Sequence, residues 1–257
     1  MCLIAFAWKP NAQNTLVLVS NRDEFYQRPS RPANFWPENK QILAGKDLLH
    51  QGTWLGITRQ GKFAAITNFR GKDPRLNLKS RGHLPLSFLN STIAPEEFAE
   101  QLQKEASHYG GFNILLGDRE QLVYYSNKSG QPPAALAPGI YGLSNHFLDT
   151  PWPKVNASKQ ALEALLQRRP DPNTEELLQL LQDKQQAPDE LLPDTGVGVV
   201  VERMLSAQFI HSPAYGTRAT TSLILDKQGR AFFAEQNHAG SGSATSPTFY
   251  EFNIETE

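Results

Sequence analysis

Short apolar runs separated by turn residues dominate the first half of the chain and return near its end. The runs Cys2–Trp8 and 15–20 are joined by six polar or turn-forming residues, a pattern typical of a β-hairpin. Neither run alternates between apolar and polar positions, which predicts strands covered on both faces. Three more pairs of runs have this form, at residues 53–58 with 62–68, 112–116 with 121–126, and 217–225 with 230–236. The four hairpins predict a large antiparallel sheet or a pair of stacked sheets.

Helical periodicity is confined to three segments. Residues 95–106 begin with Pro95 and an acidic first turn, an arrangement that suits the start of a helix. Residues 155–167 and 173–185 carry leucines at helical spacing, which predicts helix faces that pack on the core. Nothing repeats at a period of about 20–50 residues. Because no linker interrupts the pattern, we expect one domain over residues 1–257.

Composition and charge indicate a globular protein that neither binds nucleic acid in general nor spans a membrane. The 257 residues are 39% apolar, which suits a globular core, and the net charge of −1 argues against general binding of nucleic acid. No apolar run reaches the roughly 18 residues of a membrane span. The first ten residues lack a secretory leader pattern, so we expect a cytoplasmic protein without an integral membrane segment. The pattern leaves the oligomeric state open.

The single cysteine, Cys2, is the residue best suited to chemistry. It follows Met1 directly, and its side chain is small enough to permit removal of that methionine. Removal would leave a thiol and an α-amine on one residue, and an amine with a pKa of about 7.7–8.0 can serve as a general base for the thiol. The alternative is a cysteine buried in an apolar strand. The histidines show no ligand spacing, and no metal site is predicted.

Polar residues at the ends of apolar runs are further candidates. Residues 21–24 (Asn-Arg-Asp-Glu) are expected to close the second strand, and Asn68 and Asn145 end two other runs. Asparagine is a common turn former, but its amide can also stabilise a developing oxyanion. Arg218 is either a surface charge at a strand end or an anchor for a substrate carboxylate. Between Arg22 and Arg81 there are 12 basic and 5 acidic residues, a stretch that could line a pocket for a carboxylate or phosphate.

Together these motifs resemble one family. The transport-and-Golgi-organisation family, also called the NRDE family, has in the same order the motifs Met1-Cys2, Asn21-Arg22-Asp23-Glu24-Phe25, Gly52-Thr53-Trp54-Leu55-Gly56, Thr67-Asn68, Gly142-Leu143-Ser144-Asn145 and Tyr215-Gly216-Thr217-Arg218. The resemblance extends from Met1 to about Gln236. It implies the N-terminal-nucleophile hydrolase fold, an α+β, four-layer αββα sandwich of two antiparallel sheets between helices.

A fainter resemblance connects the chain to the cysteine-nucleophile amidases, the group of penicillin V acylases and bile-salt hydrolases. It implies a catalytic group consisting of Cys2, Arg22, Asp23, Asn68, Asn145 and Arg218. By this resemblance Cys2 attacks a carbonyl while its α-amine transfers the proton, and Asp23 orients the amine. The two asparagines position the amine and the oxyanion, and the two arginines hold the nucleophile or the substrate. Contacts with the substrate are predicted for Asn21, Glu24 and Arg70.

The sequence departs from the amidase pattern at one point. In those amidases the arginine and the aspartate are several residues apart, whereas Arg22 and Asp23 adjoin. Adjacent residues of a strand point to opposite faces. Both can therefore reach Cys2 only if a bulge or a strand end intervenes, and otherwise only one of them takes part.

Two functions follow from these resemblances. The first is hydrolysis of linear C–N (amide) bonds in a small anionic or acyl-bearing substrate by Cys2, with no cofactor required. The second is non-catalytic carriage in haem trafficking or in lipid and acyl-thioester homeostasis, with haem as a candidate bound ligand and the basic stretch facing its propionates. A scaffold of the same fold that has lost catalysis is a third alternative.

Overall fold

The computed structural model describes residues 2–71, 78–240 and 243–255. In chain order the strands are β1 (Cys2–Trp8), β2 (Asn14–Phe25), β3 (Ser30–Trp36), β4 (Asn39–Asp47), β5 (Leu55–Thr58), β6 (Phe63–Asn68), β7 (Phe112–Gly117), β8 (Leu122–Ser126), β9 (Ala134–Ala135), β10 (Gly139–Leu143), β11 (Tyr215–Asp226), β12 (Arg230–Asn237) and β13 (Thr248–Asn253). The helices are α1 (His83–Leu89), α2 (Pro95–Glu105), α3 (Pro153–Arg168), α4 (Thr174–Leu180) and α5 (Val199–Leu205), with short 3₁₀ turns at Ala106–His108 and Asp189–Leu191.

The described chain divides into two compact units, each built around one sheet. The first unit combines the residues up to Gln27 with Pro138–Ser144 and Leu148–Phe252, and the second combines Arg28–Ala137, Asn145–Phe147 and the residues from Asn253 onward. The strand order is β10-β1-β2-β11-β12-β13 in the first sheet and β3-β4-β5-β6-β7-β8-β9 in the second. The two antiparallel sheets and the five α-helices of the described residues confirm the predicted α+β class.

The core of the first unit lies between its sheet and two helices. Alternate residues of β1 and β2, among them Leu3, Ala5 and Val17, point to this side and are fully buried. They pack against Leu162 of α3 and Leu177 of α4. Because alternate residues of a strand point to opposite faces, Cys2 lies on the other face of the same sheet.

The second unit has a separate core. Helices α1 and α2 cover its sheet, and Phe88 and Leu102 pack with Ile114 and Leu116 of β7. Among the described residues, none of the helices has both the length and the apolar character needed to cross a lipid bilayer.

The hairpins predicted from the apolar runs are confirmed as β1–β2, β5–β6, β7–β8 and β11–β12. The helices predicted at residues 95–106 and 155–167 are also confirmed, as α2 and α3. The third helix is shorter than expected, because α4 ends at Leu180. Residues 21–24 lie at the end of the second strand as expected, and β2 ends one residue later, at Phe25, which pairs with Tyr215 of β11. Strands β3, β4, β9 and β13 and helices α1 and α5 were not predicted.

Candidate active site

Cys2 and Arg22 face each other on neighbouring strands. Cys2 is the first residue of β1 that pairs with β2, and the residue opposite it is Arg22. Directly opposite residues of an antiparallel pair place their side chains on the same face of the sheet. The thiol is free, and Cys2 and Arg22 are 8% and 5% exposed. The structure therefore brings a buried thiol and a buried guanidinium to one face of the first sheet.

Asp23 reaches Cys2 through its main chain. The backbone N–H of Asp23 donates a hydrogen bond to the Cys2 sulfur. The carboxylate of Asp23 is held on the β11 side, where its Oδ1 accepts a 2.8 Å hydrogen bond from the Thr217 hydroxyl. The hydroxyl of Tyr215 donates to the backbone carbonyl of Asp23 at 3.0 Å. Adjacent residues can thus both act on Cys2, because Arg22 does so with its side chain and Asp23 with its N–H.

A β-bulge lies beside this pair of residues. Asp23 pairs with Thr217 and Arg22 pairs with Ala219, so Arg218 is an extra residue between two consecutive pairs. Bulges bend a strand and redirect side chains, and they occur frequently next to active sites. The Arg218 guanidinium donates to the carbonyls of Phe25 at 2.9 Å and Tyr26 at 3.1 Å. Arg218 therefore secures the end of β2, and its predicted catalytic role stays a prediction.

The environment of the Cys2 thiol acts on its pKa in two directions. Burial raises the pKa of the Cys2 thiol, and the negative charge of Asp23 acts in the same direction. The charge of Arg22 and the backbone N–H of Asp23 both lower it, but burial prevails. The thiol is therefore protonated at neutral pH, and it needs a base before it can act as a nucleophile. Met1, whose removal would expose the α-amine as that base, lies outside the described residues.

Asn21 occupies the opposite face of the sheet, where it makes structural contacts. Its register partner is Leu3, and it is fully buried. Its amide nitrogen donates to the carbonyls of Leu181 and Gln208, both at 2.9 Å, and its amide oxygen accepts from the Thr220 hydroxyl at 2.7 Å. These bonds join β2 to two loops and to β11. The Glu24 carboxylate accepts a hydrogen bond from the N–H of Phe25 at 2.9 Å. The predicted contacts of Asn21 and Glu24 with a substrate stay predictions.

His238, which no sequence motif marks, supports the bulge. Its backbone N–H donates to the carbonyl of Arg218 at 2.9 Å, and its Nε2 lies 2.9 Å from the Thr220 hydroxyl. Because that hydroxyl donates its proton to Asn21, Nε2 must be the donor to Thr220. Burial, together with the charge of Lys184, lowers the pKa of His238 to about 4. No motif marked this residue, since its partners are set by the register of β11 against β12.

The second unit brings together three other predicted site residues. Asn68 ends β6, and its backbone carbonyl accepts a 2.8 Å hydrogen bond from the amide of Asn145. The backbone N–H of Arg70 donates to the carbonyl of Asn145 at 2.6 Å. The ring of His146 packs on Phe69 with centroids 4.9 Å apart, and burial, followed by the charge of Arg70, lowers the pKa of His146. No motif in the sequence marks either of these two aromatic residues.

No group of three or more His, Cys, Asp or Glu side chains able to hold a metal ion occurs within residues 2–71, 78–240 and 243–255. The groups around Cys2 instead offer a thiol, the cationic side chain of Arg22 and the backbone N–H donor of Asp23. That combination suits attack of sulfur on a carbonyl carbon once a base has taken the thiol proton.

Comparison with known proteins identifies relatives over the full length of the chain. It is 37% identical over 278 residues to the Transport and Golgi organization protein 2 homolog of Bos taurus, and 35% identical over 277 residues to that of Homo sapiens, with 100% of each chain covered. Among solved structures, the C2A mutant of the conjugated bile acid hydrolase from Clostridium perfringens is similar, with a TM-score of 0.53 and 10% identity, over 99% of this chain and 98% of that chain.

The structural likeness shows the N-terminal-nucleophile hydrolase fold that the resemblance implied. A family profile described as Transport and Golgi organisation 2 matches residues 1–240, which include both Cys2 and the bulge at Arg218. The chain therefore belongs to the Transport and Golgi organisation 2 family.

Proposed function

We propose that the protein is an N-terminal-cysteine hydrolase that cleaves linear amide bonds after Met1 has been removed. The observation that carries the proposal is the setting of the Cys2 sulfur, which accepts the N–H of Asp23 and shares a sheet face with Arg22. The likeness in fold to a conjugated bile acid hydrolase supports it. A buried thiol without a catalytic role would need neither the nearby cation nor the bulge beside it.

The reaction follows from the groups at Cys2. The α-amine of Cys2 takes the thiol proton, and the sulfur attacks the carbonyl carbon to form a new C–S bond. The C–N bond then breaks, and the same proton passes from the amine to the departing nitrogen. Water hydrolyses the resulting thioester, which releases the carboxylic acid and restores the thiol. The charge of Arg22 stabilises the thiolate, and we assign to Asp23 the orientation of the amine.

We expect a small substrate whose acyl part or leaving group carries a negative charge. Arg22 supplies a buried positive charge beside the nucleophile, and a charge in a low-dielectric site favours an anionic partner. The roles predicted for Asn68, Asn145 and Arg70, which belong to the second unit, stay predictions.

The decisive experiment uses untagged protein and compares wild type with Cys2→Ala. The intact mass of the wild type should be short by one methionine, and it should hydrolyse members of a library of anionic N-acyl amides. The Cys2→Ala variant should lose this activity by on the order of a thousandfold. Ser144→Ala is a matched control, because it removes a hydroxyl that donates to the carbonyl of Cys2 at 3.0 Å and leaves the thiol in place. Equal hydrolysis by wild type and Cys2→Ala would refute the proposal.

The same preparations test the carrier alternative. Titration with haem, followed by its absorbance, and incubation with an acyl thioester, followed by its release as free acid, separate binding from turnover. A carrier would bind one of these ligands equally well in wild type and Cys2→Ala and would hydrolyse nothing. A hydrolase would release free acid from the acyl thioester as the wild type and would lose this activity as Cys2→Ala.

A further inference from the structure

An aromatic side chain that the proposed function does not use lies on the face of the first sheet that contains Cys2. Arg22, opposite Cys2, and Glu24 are alternate residues of β2 and therefore point to this face. Gly216 of β11 is opposite Glu24, so a Cβ atom added at Gly216 would point to the same face. That atom would collide with the hydroxyl of Tyr26. The Tyr26 phenol therefore covers Gly216 on the face of the nucleophile.

Two glycines and one backbone N–H fix the phenol in this place. A Cβ atom added at Gly240 would lie 2.9 Å from the Tyr26 ring, so glycine at 216 and at 240 leaves the room that the ring occupies. The N–H of Ser212, which donates to the Tyr215 carbonyl at 3.1 Å, also donates to the Tyr26 oxygen. The hydroxyl is therefore held in one position before any ligand binds.

The Tyr26 hydroxyl is able to donate a hydrogen bond. Burial raises the pKa of the Tyr26 phenol, so the hydroxyl keeps its proton at neutral pH. Tyr26 is partly exposed, and no acceptor within residues 2–71, 78–240 and 243–255 takes this proton. A hydroxyl whose oxygen already accepts an N–H, and whose proton is available, is a donor for a ligand.

The charges beside the phenol favour an anionic acceptor. After burial and the N–H of Ser212, the positive charge of Arg218 has the largest effect on the pKa of the Tyr26 phenol, and the negative charge of Asp23 has the smallest. Glu24 shares the face, but its carboxylate accepts the next N–H of the main chain at 2.9 Å. Hydrogen bonds to an ionised acceptor are about twice as strong as neutral ones. The hydroxyl is therefore suited to a carboxylate.

The spacing of the strands sets the distance between this hydroxyl and the sulfur. Gly216 lies two strands from Cys2 and two residues further along, which places the two Cα atoms roughly 12 Å apart. The reacting carbon must lie about 3 Å from the sulfur, and a hydroxyl bond takes about 2.7 Å, which leaves about 6 Å. A spacer of about three atoms between the carbonyl carbon and the carboxylate fills that length.

We propose that Tyr26 binds the substrate and selects an amide with a carboxylate about three atoms from the scissile carbonyl. The assignment rests on the proposed hydrolysis at Cys2 and names the substrate class, in which the carboxylate belongs to the acyl part or to the leaving group. An ammonium group would be repelled by Arg218 and could not accept the hydroxyl proton. A neutral end group would gain nothing from the charge of Arg218.

Calorimetric titration of full-length Cys2→Ala, which binds amides without cleaving them, tests the assignment. The probes are glutaryl butylamide and N-butanoyl-β-alanine, each compared with a counterpart in which an isopropyl group replaces the carboxylate. Adding Tyr26→Phe should weaken the better-bound anionic probe by about tenfold or more and leave its neutral counterpart unchanged, because one charge-assisted hydrogen bond is lost. Tyr250→Phe is the matched control, since β13 lies two strands beyond β11, and it should change neither Kd.

Turnover by proteins that retain Cys2 separates this assignment from the hydrolysis itself. Tyr26→Phe should raise KM for the anionic probe by about tenfold or more and change kcat by less than about twofold, because the hydroxyl is distant from the reacting bond. An unchanged Kd in the titration, or no binding of either anionic probe at millimolar concentration, would overturn the role of Tyr26. The expected loss of affinity, together with no turnover by the wild type, would support Tyr26 and refute the hydrolysis alone.

Discussion

The charge of Arg22 is the part of the Cys2 environment that a single substitution can remove most cleanly. Arg22 lowers the pKa of the thiol. Arg22→Met should therefore raise that pKa and slow alkylation by iodoacetamide at pH 7.5 by about threefold to tenfold, because less thiolate is present. The measurement is the alkylation rate as a function of pH. The exposed Arg31 provides the control, and Arg31→Met should leave the profile unchanged. A wild-type profile for Arg22→Met would contradict the assignment.

His238 gives the folded state a defined dependence on pH. Its pKa of about 4 lies below the ordinary value of 6.5, so between these values the unfolded chain binds the proton and the folded one does not. Stability is therefore complete above pH 6.5 and falls as the pH decreases toward 4, by on the order of 3 kcal/mol for a shift of this size. His238→Gln should flatten this part of the curve of unfolding free energy against pH, measured by urea denaturation. An unchanged slope would mean that other groups cause it.

At the scale of the element, the bulge in β11 depends on one hydroxyl. Thr217 Oγ1 donates to Asp23 and accepts the N–H of Ile210 at 2.9 Å, and Thr217 is 1% exposed. Thr217→Val keeps the shape but leaves a carboxylate oxygen and an N–H without this partner. The free energy of unfolding should fall by about 1–3 kcal/mol. Urea denaturation measures it, and Thr248→Val, at an exposed position of β13, should change it by less than about 0.5 kcal/mol.

Strands that are buried along most of their length were predictable from the sequence, whereas strands and helices that alternate irregularly between buried and exposed residues were not. Strands β1, β2 and β7 are buried on both faces over most of their length, and each contains an uninterrupted apolar stretch that marks it in the sequence. Strand β3 buries only Ala33 and Trp36, so its sequence resembles a loop. Helix α5 begins with three valines, which usually favour strands, but the Glu202 carboxylate accepts the N–H of Thr195 at 2.8 Å and anchors the helix to the preceding loop.

At the scale of the whole molecule, the order of motifs was sufficient to identify the family, but not the geometry of the site. Cys2, Arg22 and Asp23 were found because they are close together in a hairpin that the sequence predicts. His238 was missed because its contact with Thr220 depends on strand register and on burial. Such contacts join residues far apart in the chain, and a single sequence does not record them.

The bulge also has a consequence for how substitutions along β11 should be interpreted. Beyond Arg218, Ala219 and the alternate residues after it share the face of Cys2, whereas before it Thr217 shares the opposite face with Asp23. At Arg218 the odd-numbered and even-numbered residues of β11 therefore exchange faces of the sheet. A complete scan of single substitutions across Tyr215–Asp226, with folded yield as the readout, should show a period-two pattern of tolerance whose phase inverts at Arg218. A substitution beyond Arg218 that is chosen by assuming strict alternation from Thr217 would therefore change a side chain on the opposite face of the sheet.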